Sequence, residues 1–228
     1  MAESIRPTMG QLTIAAVCLI IAVAAAFVSA NATRNDPIFS LSPPVKDTAP
    51  HSVVPDVPEA RRLDLHRTFF TAWAALLLVT PALCLFPFRR SSAKAAGYWL
   101  AFWTASYLAF LIHLYWAIFV IFGGDWARIS NSPRVSAPVI DIVFAAWWGV
   151  DLLLAWAVRD DKSLVKFERV LIYLMAIALF IAGSAIEGEI WLSKALGFTS
   201  AGAIALALFV WIVRHLRART LNAVPASR

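Results

Sequence analysis

GYWLAFWTASYLAFLIHLYWAIFVIF, from Gly97 to Phe122, contains no Asp, Glu, Lys or Arg. Wound as a helix at 1.5 Å per residue it would extend ~39 Å, more than the ~30 Å hydrocarbon core of a bilayer. It is bounded on one side by Arg89, Arg90 and Lys94 and on the other by the turn-forming region Gly123 to Ser136. Lipid is the natural solvent for such a segment, and the same pattern recurs along the chain.

Five further runs have comparable length: Gln11 to Ala30, His66 to Phe86, Pro138 to Val158, Glu168 to Glu187 and Leu196 to Val213. The expected fold class is therefore all-α, a polytopic transmembrane helical bundle of six helices. Composition agrees, since 61% hydrophobic and 15% charged residues do not describe a soluble domain of 228 residues. The mean hydropathy of +0.72 points the same way. A rival reading has five helices, because Val28-Ser29-Ala30 offers small residues for signal-peptide cleavage before Asn31. Against cleavage, the apolar run is longer than a ~7–15-residue signal core, and Arg6 is its only basic leader residue.

The chain divides into a first transmembrane helix (residues 1–30), a Pro-rich outer loop (31–65), a five-helix membrane bundle (66–214) and a basic tail (215–228). Six of the twelve prolines fall in the loop, where they interrupt helix and favour turn or polyproline conformations. The net charge of +6 comes from Lys and Arg at the ends of hydrophobic runs, so it implies anionic headgroups and no nucleic acid. Arg89, Arg90 and Lys94, the basic residues of 159–169, and Arg214, Arg217 and Arg219 all fall on one side. By the positive-inside rule that side is cytoplasmic, which makes both termini cytoplasmic in a multi-pass protein of the plasma (inner) membrane. Cys18 and Cys84 lie within apolar runs without the spacing of a disulfide or zinc framework.

Tryptophans at run ends read as interfacial anchors: Trp126 and Trp191 outside, Trp99, Trp156 and Trp211 inside. Trp116, Trp147 and Trp148 sit deeper, where packing between helices is expected.

Two ionisable residues lie at depth, His113 and Asp151. A charge near a helix centre costs ~2.5–3.5 kcal/mol on insertion scales, so both are expected to turn inward. Counting down the antiparallel third and fourth helices places Asp151 about one turn below His113, close enough for a contact or a shared partner. Such a pair could carry a proton, bind a quinone oxygen or hold a metal; equally, each residue could be hydrogen-bonding glue with Thr104, Ser106, Tyr107 or backbone carbonyls as partners. Nearer the outer surface, Asp141, Glu187 and Glu189 could join His113 in an acidic vestibule, although interfacial carboxylates are commonly just hydrated. Small residues around Gly183 and at Gly197, Ala201 and Ala205 predict close packing of the last two helices.

No second histidine matches the depth of His113, so a bis-histidine haem lacks a ligand. GxSxG, HExxH, Walker A and GxGxxG motifs are absent, as is any repeat between the two halves. Three functional classes stay open. The first is a non-catalytic or accessory subunit of a larger membrane assembly, with other membrane or outer-face subunits as partners. The second is an intramembrane redox or quinone-linked enzyme using His113 and Asp151. The third is a small transporter or channel with Asp151 as its ion or proton site.

Overall fold

A computed structural model describes residues 6–35, 59–132, 135, 137–157, 162–188 and 190–223. Among them there is no strand, and the six expected crossings are all present as helices. In chain order the helices are α1 (Met9–Thr33), α2 (Glu59–Leu85), α3 (Ala93–Tyr115), α4 (Trp126–Ser130), α5 (Pro138–Ala157), α6 (Ser163–Ala176) and α7 (Trp191–Ala223). Two helices continue with π geometry, α3 through Trp116–Ile121 and α6 through Ile177–Glu187. All but the short α4 are long and apolar enough to cross a membrane. The chain is a multi-pass membrane protein whose apolar helices contact lipid; Leu153, Leu206 and Phe209 are among the large side chains on the outside of the bundle.

Local chemistry sets the helix ends. Thr8 accepts from the Gln11 backbone N–H while the Gln11 side chain accepts from the Thr8 N–H, a reciprocal cap that starts α1. Gln11 Nε2 then donates to the Lys94 carbonyl at 3.0 Å, tying the start of α1 to the start of α3. This contact passes over Gly97, where a Cβ would collide with the Gln11 amide. At the opposite end, Thr33 Oγ1 lies 3.4 Å from His66 Nδ1, joining the end of α1 to α2. We call these two sides of the bundle near and far.

α2 is the central helix, with 56% of its membrane window buried against 11% for α1. It packs on α1, α3 and α7. Side-chain hydrogen bonds pin α2 to α7 at two levels, Trp73 Nε1 to Ser193 Oγ at 3.1 Å and Thr80 Oγ1 to Ser200 Oγ at 3.0 Å. The Tyr173 hydroxyl donates to the Leu83 carbonyl at 3.2 Å and attaches α6 to the near-side end of α2. The close approach expected of the last two helices is present: a Cβ on Gly197 would lie 2.5 Å from the Ala185 backbone nitrogen.

Several boundaries differ from the sequence reading. α2 begins at Glu59 and α1 runs to Thr33, so both ends of the 31–65 segment are helical, and residues 36–58 lie outside the described residues. α7 starts at Trp191 and continues to Ala223, taking the first part of the 215–228 tail into the helix. Trp126 and Trp191 are exposed at far-side helix starts, as interfacial anchors should be. Trp99 is not an anchor: it is 5% exposed and packed inside the near-side half. Trp148 is fully enclosed, as a packing residue between helices.

Candidate functional site

The inward face of α5 is Phe144, Ala145, Trp148, Asp151 and Leu152, a helical spacing that brings the one acidic residue of that face into the core. On α3 the corresponding face includes Trp99, Trp103, Ser106 and Phe110, and on α6 it is Val165, Arg169, Ile172, Tyr173 and Ala176. Where these faces meet, Asp151 is completely buried and both of its oxygens are engaged. Trp103 Nε1 donates to Oδ2 at 2.7 Å, and Arg169 Nε donates to Oδ1 at 3.1 Å. The Arg169 guanidinium lies 5.5 Å from the centre of the Trp99 ring, and that of Arg89 lies 5.3 Å from the same ring. Beside Arg169, Glu168 accepts from Trp147 Nε1 at 2.7 Å. This near-side cluster neutralises its own charge and fastens α3, α5 and α6 together.

His113 belongs to a different site. Its Nδ1 lies 2.9 Å from the Thr68 carbonyl of α2, so it is a backbone carbonyl that holds this ring. The expected contact with Asp151, or a partner shared between them, is not formed. Phe110 and Trp148 stand between the two: the His113 ring stacks on Phe110 at 6.1 Å, Phe110 meets Trp148 at 5.7 Å, and Trp148 meets Trp103 at 4.5 Å. Asp151 is level with Trp103, ten residues and hence ~15 Å down α3 from His113. The count from the connection fails because α3 and α5 do not end at equal depth. Trp103 is about five turns from Ile121, whereas Asp151 is about three and a half turns from Pro138. Between the two helices, Phe122, Trp126, Ile129 and Val135 line a cavity.

That cavity occupies about 260 Å3 in the far-side half. α2 contributes Leu65, Thr68, Phe69 and Ala72, and the end of α3 with its π segment contributes His113, Leu114, Ala117, Ile118 and Ile121. α5 closes it with Pro138, Asp141 and Ile142. The roof depends on local sequence. Gly123 and Gly124 adopt φ values of 67° and 76°, a left-handed pair that residues with a Cβ rarely sustain. The chain reverses there, and Asp125 caps the five-residue α4 by accepting from the N–H groups of Ala127 and Arg128. Trp126 and Ile129 of α4 thereby line the cavity.

His113 and Asp141 of the expected outer group line this one cavity. The Glu187 side chain and Glu189 lie outside the described residues. Trp103 and Arg169 escaped the sequence reading, and of the backbone carbonyls expected as partners, which one would hold His113, here that of Thr68, was not legible. A backbone acceptor leaves no mark in a sequence. Arg169 did leave one, since it and Asp151 are equally distant from the α5–α6 connection. Compared with family models, with curated protein sequences and with solved structures, the chain gives no significant match.

Proposed function

We propose that this chain is a non-catalytic, ligand-binding membrane protein whose far-side cavity holds a small lipophilic molecule. The observation that carries the reading is the cavity itself, about 260 Å3 with mostly aliphatic and aromatic walls and with His113 and Asp141 as its titratable lining residues. Apolar protein cavities of roughly 150 Å3 take up benzene, whereas drug-sized ligands occupy about 300–1,000 Å3. This volume suits one substituted ring or a short branched chain. The π geometry of Trp116–Ile121 along one wall adds support, because π segments recur at functional sites.

The engagement of Asp151 speaks against the other two readings. With Arg169 on one oxygen and Trp103 on the other, it is a poor cation site, and its separation from His113 removes the acid–base pair a quinone enzyme would have used. A role as an accessory subunit of a larger inner-membrane assembly is compatible with this arrangement, and native mass measurement after mild detergent extraction tests it: a lone chain would end that part of the proposal.

The cavity reading is tested by the binding of 4-methylanisole to the protein in lipid nanodiscs, with empty nanodiscs as the blank. Ala72→Phe places a ring in the cavity and is expected to abolish saturable binding while the thermal transition stays in place. Equal binding by the wild type and this variant would sink the proposal.

A further inference from the structure

We infer that the cavity selects a ring bearing a hydroxyl group, a phenol- or hydroquinone-type headgroup whose O–H donates to His113 Nε2. The inference rests on the reading of the cavity as a binding site and adds the chemistry of what it takes. A carbonyl oxygen can only accept, so the 2.9 Å contact with Thr68 requires the proton of the imidazole to sit on Nδ1. In the neutral ring that assignment leaves the lone pair on Nε2, making it an acceptor. Thr68 also lines the cavity, so both residues of the bond that fixes the tautomer belong to its lining.

Nε2 itself has no protein partner among the described residues, and it is not one of the polar atoms enclosed without a partner, as Trp148 Nε1 is. It therefore presents accessible surface on a residue that lines the cavity. The ring is held in this orientation, stacked on Phe110 and bonded to the Thr68 carbonyl. An acceptor in walls that are mostly apolar, with Asp141 as the other titratable lining residue, discriminates sharply: a ligand O–H satisfies it, whereas a ligand of the same shape without a donor leaves it unpaired. The size of the cavity limits the headgroup to about one ring, so any chain attached to it must pass outward between helices.

Two matched ligand pairs in nanodiscs test this. p-Cresol should bind about tenfold more tightly than 4-methylanisole, its methyl ether, as expected for one hydrogen bond made or lost at a buried acceptor. In His113→Leu the difference should collapse to about onefold, with the ether still bound. Equal binding of the two by the wild type, or a preference that survives in His113→Leu, overturns the inference and leaves the cavity reading standing. Binding of neither molecule overturns both. Because equal binding by the wild type overturns the inference without any substitution, the inference stays falsifiable even if His113→Leu misfolds. The second pair, decylhydroquinone and its dimethyl ether, identifies the source. Hydroxyl-dependent binding of the tailed pair assigns a membrane-borne quinol, and binding of the tail-less pair alone assigns a free phenol; either result supports the hydroxyl recognition proposed.

Discussion

Arg169 Nε lies 3.1 Å from Asp151 Oδ1, with the two side chains 3% and 0% exposed, on consecutive helices at equal distance from their connection. Removing one charge strands the other in an apolar interior. Arg169→Met should destabilise the protein by about 3 kcal/mol, the order of cost for a lone charge at a membrane helix centre. Adding Asp151→Leu should recover most of that loss, because two apolar side chains need no partner. Unfolding by SDS titration of the purified protein measures both, and a double variant no more stable than the single one would contradict the account.

Trp103 and Trp147 each donate a 2.7 Å hydrogen bond to a carboxylate, but they differ in burial. Trp103 and Asp151 are both enclosed, whereas the bond from Trp147 to Glu168 is partly accessible. Trp103→Phe should therefore cost about 1–2 kcal/mol, near the upper end for interhelical hydrogen bonds in membranes, and Trp147→Phe about 0.6 kcal/mol or less. The same titration ranks them, and the reverse order would refute the assignment of Trp103 as the principal donor.

Gly197→Val should separate α7 from the π segment of α6, because a Cβ there would lie within 2.9 Å of three Ala185 atoms. A loss of about 1–3 kcal/mol is expected for such overpacking. Gly202→Ala on the same helix is the control, since a Cβ at that position meets nothing within 4 Å. A tolerated Gly197→Val would show that the two helices can move apart at little cost.

The near side of the bundle carries Arg89, Arg90 and Lys94 together with the start of α6, and we propose that it faces the cytoplasm. Alkaline phosphatase fused after Ser92 or Ser163 should be inactive, and a fusion after Ser130, in the far-side connection, should be active. An active fusion at the C-terminus would overturn this orientation.

How much of this was legible beforehand follows from what each feature depends on. Helix number and approximate extent were, because crossing a bilayer demands a minimum apolar length and every backbone group in lipid must be bonded within its own helix. That Asp151 and His113 turn inward was equally determined by the sequence, since neither side chain can be left facing hydrocarbon. The close contact at Gly197 was legible for a similar reason: only small residues let two backbones approach. The partners of these residues were not. Which neighbour meets a buried carboxylate depends on the relative depth of three helices, and here α5 starts deeper in the bundle than α3 ends, so that Trp103 and Arg169 meet Asp151 while His113 is left to a backbone carbonyl of α2. Local sequence fixes a turn and a helix face; the depth at which faces meet is fixed by packing among segments far apart in the chain, and only the tertiary structure decides it.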